Sequence, residues 1–92
     1  MLIKLFASFR QPGLSDRVPV EIISGATVMD ALEVLFAERP FLRPEVMAPG
    51  RRELQPHVNI MLKGRLIRDL QGLGTPLSDG DTLSLFPPSA GG

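Results

Sequence analysis

Between Thr27 and Pro40 the chain carries one clear stretch whose apolar residues recur at helical spacing. Val28, Ala31, Leu32, Leu35 and Phe36 make a single stripe, while Asp30, Glu33 and Glu38 fall mostly elsewhere. Thr27 is placed to cap the first turn, with Asp30 three residues on as the acid of a capping box. Pro40 cannot continue the hydrogen-bond ladder and stops the run. The result is one helix of about 12 residues, and a helix with a single apolar stripe has to bury it across one face of a sheet.

The flanking segments supply that sheet. In MLIKLFASFR, Ile3, Leu5, Ala7 and Phe9 share one face of a strand and Lys4, Ser8 and Arg10 the other. QPGLSDR has the composition of a turn. Val18 to Ile23 reads as a second strand in a hairpin with the first, and Pro19 makes it an edge strand or marks its start. In HVNIMLKGRLI, Val58, Ile60 and Leu62 alternate with polar or flexible neighbours, Lys63-Gly64 is a tight turn, and Arg65 to Ile67 is a very short strand. RDLQGLGTPLSDGD crosses the fold with Leu70, Leu73 and Leu77 as apolar pins and Asp79-Gly80 as a turn. Thr82 to Phe86 is the last strand. Phe41 to Pro56, punctuated by Pro44, Pro49 and Gly50, reads as a packed loop with one short helical turn, because Phe41, Leu42, Val46 and Met47 are too apolar for a free linker. The order strand, strand, helix, strand, short strand, strand defines an α+β domain with one helix on a mixed sheet. Pairing the first strand with the last would close it.

Composition removes several function classes. Ninety-two residues make one domain, and a chain of this size buries roughly 60 to 65% of its surface, leaving little for a deep cleft. There is no cysteine, hence no disulfide framework, cysteine metal site or thiol nucleophile. Lys plus Arg total 10 and Asp plus Glu total 10, which gives no electrostatic footprint for nucleic acid. The opening segment is broken by Lys4, Ser8 and Arg10 and does not read as a signal peptide. No run approaches the ~20 apolar residues of a membrane span. A soluble cytoplasmic protein with no nucleic-acid or membrane partner is expected.

Candidate catalytic residues are scarce. His57 stands alone, and Gly72 to Gly74 lack the lysine and spacing of a phosphate loop. Asp79 and Asp81 around Gly80 read as turn chemistry. No metal-ligand cluster and no paired carboxylates in a helical register are present. The chain therefore offers no active site of its own and no cofactor site.

The chemistry concentrates at the end, SLFPPSAGG. Leu83 and Leu85 fall on one side of the last strand, and Thr82, Ser84 and Phe86 on the other. With the leucines toward the helix, Phe86 faces outward, and Phe6 on the minority face of the first strand joins it in a partner-docking patch. Residues 1–86 then form the domain and 87–92 a projecting tail. Pro87 and Pro88 stiffen its base, Ser89 and Ala90 keep it thin, and Gly91 and Gly92 lack a Cβ and so can thread a narrow channel. At about 3.1 Å per residue, an extended arm from Pro87 to Gly92 reaches about 18 Å. The Gly92 carboxylate is ionised at neutral pH and is a poor acyl donor. Attack on ATP would convert it to an acyl-adenylate, which a sulfur or amine nucleophile then displaces. The machinery for that step has to belong to a partner.

The residues MLIKLFA, HVNIMLKGRLI and GLGTPLSDGDTLSLFPP, with the terminal Gly91-Gly92, resemble the ubiquitin-like sulfur carriers (MoaD/ThiS-like), especially the molybdopterin synthase small subunit. The resemblance covers most of the chain. It implies a β-grasp fold, with one main helix on a mixed sheet of four to five strands. It implies adenylation of Gly92 by an E1-like enzyme that holds ATP and magnesium, and conversion to a thiocarboxylate by a sulfur donor, a sulfurtransferase or desulfurase. In the molybdenum-cofactor branch the tail enters the large subunit of molybdopterin synthase and gives up its sulfur there, as that enzyme's non-catalytic subunit. Phe86 corresponds to the family's aromatic before the double proline, in the partner contact. Ser89 departs from the branched apolar residue usual there, and Phe41 to Pro56 is longer than in the shortest members. Some longer relatives supply sulfur for cysteine synthesis or transfer-RNA thiolation, and other members of the resemblance serve thiamine synthesis or are ubiquitin-like protein modifiers. Molybdopterin synthesis is the main expectation and those roles are its alternatives.

Overall fold

The computed structural model describes residues 1–50 and 52–88. Its strands are β1 (Leu2–Leu5), β2 (Arg17–Pro19), β3 (Asn59–Leu62), β4 (Arg65–Leu66) and β5 (Thr82–Phe86), joined in one sheet in the order β2-β1-β5-β3-β4. The last strand of the chain is thus the middle of the sheet. β5 runs parallel to β1, with Ile3 beside Leu83 and Leu5 beside Leu85, and antiparallel to β3, with Ile60 beside Leu85. The expected closure of first strand on last is present. Helix α1 (Val28–Glu38) packs across one face, and a single turn, α2 (Arg43–Val46), follows it. One main helix on a mixed five-stranded sheet is the expected α+β, β-grasp fold.

Local chemistry sets the helix. The Thr27 side chain accepts from the Asp30 backbone N–H at 3.3 Å, and the Asp30 carboxylate accepts from the Thr27 N–H at 2.9 Å, which completes the capping box. Val28, Ala31, Leu32, Leu35 and Phe36 are all buried. They meet Ile3, Leu5, Val18, Ile60, Leu62, Leu83 and Leu85, the inner-face residues that the two-residue period of the strands presents to the helix. Pro19 is accommodated by register. Met1 and Val20 exchange backbone bonds of 2.8 and 2.9 Å, and the Leu5 N–H reaches Asp16 at 2.8 Å. Pro19, opposite Leu2, falls between these bonded positions on an edge strand, where no N–H is required.

Three local expectations change. The first strand ends at Leu5 rather than running to Arg10. Ala7 takes a left-handed φ of 52° and opens a 3-10 turn over Ala7–Phe9 that leaves Ala7 exposed and returns Phe9 to the core. A spacing of apolar residues that reads as strand alternation in the sequence is taken here by a turn. The second strand is Arg17–Pro19, and Ile23 is 82% exposed beyond it. Phe41 to Pro56 is more ordered than a loop. It holds a 3-10 turn over Pro40–Leu42, then α2, then a bridge between Met47 and Leu54, with Leu42, Val46 and Met47 buried.

Candidate functional site

The end of β5 is held on both sides and then released on both sides. The Phe6 N–H still reaches the Leu85 carbonyl at 3.2 Å, and Asn59 still pairs with Phe86. One residue further on, both neighbouring strands are gone. On one flank Ala7, at φ 52°, turns β1 away. On the other, His57, at φ 67°, precedes the start of β3, and the Val58 N–H is already given to Gln55 at 3.2 Å. Pro87 has no N–H with which to extend the ladder. The chain therefore leaves the sheet at Pro87, half-buried, and Pro88, exposed, from a base clamped in the centre of the fold. Ser89, Ala90, Gly91 and Gly92 lie outside the described residues.

Phe86 sits on the face away from α1, as its strand position requires. It is half-buried rather than free. Its ring stacks on Phe6, with centroids 4.4 Å apart and planes 15° from parallel. The parallel register makes the pair, since Leu5 lies beside Leu85 and the next residues out are these two rings. Around them the outer face shows Leu2, Met61 and Leu66, each half-buried. The Arg68 guanidinium donates to the Asn59 side-chain oxygen at 3.2 Å, which holds it beside the Phe86 row.

The other candidates resolve into structure. His57 is exposed and in the left-handed region. Gly72–Gly74 is a 3-10 turn whose backbone is engaged by Thr75: its hydroxyl donates to the Gly72 carbonyl at 2.7 Å and accepts from the Gln71 N–H at 3.0 Å. Asp81, buried, accepts from the Ser78 N–H at 2.8 Å and faces Lys63 at 3.5 Å, closing the Asp79-Gly80 turn. Among the described residues no group of three or more His, Cys, Asp or Glu is placed to hold a metal ion, and no helix is long and apolar enough to cross a membrane. Sequence reasoning missed the paired left-handed residues at the exit. A positive φ at alanine or histidine leaves no mark in periodicity.

A β-grasp domain whose central strand delivers its own C-terminal end from the sheet belongs to the ubiquitin-like carrier class. A model of the ThiS family matches residues 3–92, and the chain belongs to that family. It is 39% identical over 90 residues to small archaeal modifier protein 3 of Haloferax volcanii, covering 98% of this chain and 96% of that one. It is 37% identical over 89 residues to small archaeal modifier protein 1 of the same organism, covering 97% of each. A crystal structure of the latter superposes with a TM-score of 0.83 at 35% identity, over 96% of this chain and 95% of that one.

These relatives overturn the main functional expectation, sulfur donation in molybdopterin synthesis: they carry the name of modifier proteins, which is among the alternatives given above. The synthase large subunit, the partner expected on that reading, is unconfirmed by these relatives. The physical cause is plain. The TPL, DGD and FPP signals encode the crossing, the turn and the strand end of a shared fold, and none of them distinguishes one role of that fold from another.

Proposed function

We propose that this chain is a ubiquitin-like protein modifier whose reactive group is the Gly92 carboxylate. The carboxylate attacks the α-phosphate of ATP, with magnesium, on an E1-like adenylating enzyme and releases pyrophosphate. A lysine amine of a target protein then displaces AMP and forms an amide, losing a proton. Residues 87–92 act as the arm that enters the partner's site, with Pro87 and Pro88 directing it and Ser89, Ala90 and Gly91 keeping it narrow. Phe86 and Phe6 form the docking contact. The observation that carries this reading is the 39% identity over 98% of the chain to a modifier protein. The clamped exit at Phe86 supports it, because an acyl donor has to be presented at a fixed place. The family match supports a second fate of the same adenylate, in which hydrosulfide delivered by a sulfur donor attacks the acyl carbon, displaces AMP and leaves a thiocarboxylate. Both fates suit the cytoplasm, where ATP is available.

The test is expression of tagged chain in a host with its E1-like enzyme, followed by mass spectrometry of tagged products. Amide linkage of Gly92 to lysines of other proteins is expected, and deletion of Gly92 should remove every adduct while leaving the fold unchanged. Tagged chain recovered only as unmodified monomer, with the enzyme active on a known substrate, overturns the proposal. A mass gain of about 16 Da reports oxygen-to-sulfur exchange and separates the two fates of the adenylate.

A further inference from the structure

Lys4 and Arg17 lie directly opposite each other across β1 and β2. Their position alternates with the bonded ones at Leu5–Asp16 and Met1–Val20, so it is the closer, non-hydrogen-bonded kind of pair. Like charges in direct opposition across strands destabilise a sheet. Nothing nearby offsets this one: among the described residues neither side chain is in an ion pair, and Asp16 is turned to Arg10 at 3.9 Å. The chain has as many acids as bases, yet among the described residues no carboxylate lies on the outward rows of the strands. Those rows read Arg17 and Pro19, Leu2, Lys4 and Phe6, Thr82, Ser84 and Phe86, then Asn59, Met61 and Leu66. Arg68, tied to Asn59, adds a cation at the opposite side. Acids gather instead on the helical layer, at Asp30, Glu33, Glu38 and Glu45.

We infer that the outer sheet face docks on a protein surface lined with carboxylates, and that Lys4, Arg17 and Arg68 are the residues that read it. The occupant is the acidic docking surface of the adenylating enzyme. Cations flank an apolar strip on both sides, so the partner needs an apolar contact for Phe6, Phe86 and Met61 with acids along its two margins. The repulsion between Lys4 and Arg17 in the free chain is relieved when carboxylates of the partner lie between them. Such complementarity sets encounter rate and register more than total contact area does. The inference rests on the docking reading above and adds the chemistry of the partner.

The experiment follows pyrophosphate release by an E1-like enzyme that adenylates the wild-type chain. Lys4→Glu with Arg17→Glu should raise KM about tenfold or more with kcat nearly unchanged, and Arg68→Glu should act in the same direction. Lys4→Arg should behave as wild type. Arg52→Glu, a charge change on an exposed residue outside the sheet, should leave KM unchanged. Raising salt from about 0.05 M to about 0.5 M should raise the wild-type KM and lower that of the double variant, whose reversed charges the same carboxylates repel. Thermal melts of the double variant should match wild type, because one like-charge pair replaces another across the same two strands, so a raised KM cannot be ascribed to loss of folding. An unchanged KM in the double variant, or an equal effect of Arg52→Glu, overturns the acidic-surface inference while the modifier reading stands. Failure of every E1-like enzyme tried to adenylate the wild-type chain overturns both.

Discussion

Phe6 and Phe86 stack face to face at 4.4 Å between centroids, one from the end of the first strand and one from the end of the last. The contact joins the two termini of the chain at the point where the C-terminal segment leaves the sheet. A stacked aromatic pair contributes about 0.5–1.5 kcal/mol beyond the area it buries. A double-mutant cycle of Phe6→Ala and Phe86→Ala, read by urea denaturation, should therefore return a coupling energy of about 0.5–1.5 kcal/mol. Phe86→Ala should in addition slow adenylation of Gly92 by more than its stability loss accounts for. A loss of adenylation that disappears once the folded fraction is corrected for would remove Phe86 from the docking surface.

Ala7, exposed and at φ 52°, carries backbone strain next to this pair. The left-handed conformation costs an L-residue roughly 1–2 kcal/mol, and glycine avoids most of that while losing more chain entropy on folding. Ala7→Gly should raise stability by up to about 1 kcal/mol, seen as a higher denaturation midpoint at unchanged slope. Ala7→Val should be destabilising, since a β-branched side chain is poorly tolerated at positive φ.

The capping box sets the start of α1, whose inner stripe is the core. Thr27→Ala removes the acceptor for the Asp30 N–H and should cost about 1 kcal/mol. Asp30→Asn keeps an oxygen that can accept from the Thr27 N–H and should cost less. Hydrogen exchange should show the added fraying confined to the first turn of α1.

Leu85 is fully buried at the centre of the sheet, and Asp81 anchors the turn that precedes the same strand. Leu85→Ala should cost about 2–5 kcal/mol, a large share of the 5–15 kcal/mol that stabilises a small domain. Calorimetry should show a correspondingly lower Tm. Asp81→Ala leaves the Ser78 N–H without its partner and should cost about 1–3 kcal/mol, whereas Asp81→Asn can still accept that bond and should cost less. Equal losses in the two variants would place the contribution in the Lys63 ion pair instead of the hydrogen bond.

The helix was legible because its determinants are local. Thr27, Asp30, the apolar stripe and Pro40 all lie within one short segment, and each acts through backbone groups nearby in sequence. The same holds for the alternation of Leu83 and Leu85 and for the outward placement of Phe86. The chemistry proposed for the tail is likewise written in residue types, since only a chain end with small residues before it is both reachable and sterically open. Tertiary structure alone decided the rest. Ala7 and Phe9 keep the spacing of a strand, and only the packing of Phe9 against the core shows that a 3-10 turn connects them. Lys4 and Arg17 are thirteen positions apart, and their opposition depends on hairpin register, which no single segment specifies. The stack of Phe6 on Phe86 requires that the two ends of the chain pair in parallel. Local sequence sets conformation through nearby backbone and side-chain groups. Neighbours distant in sequence are set by burial of one shared core, and the outer face, with its charges and its aromatic pair, is what that burial leaves exposed.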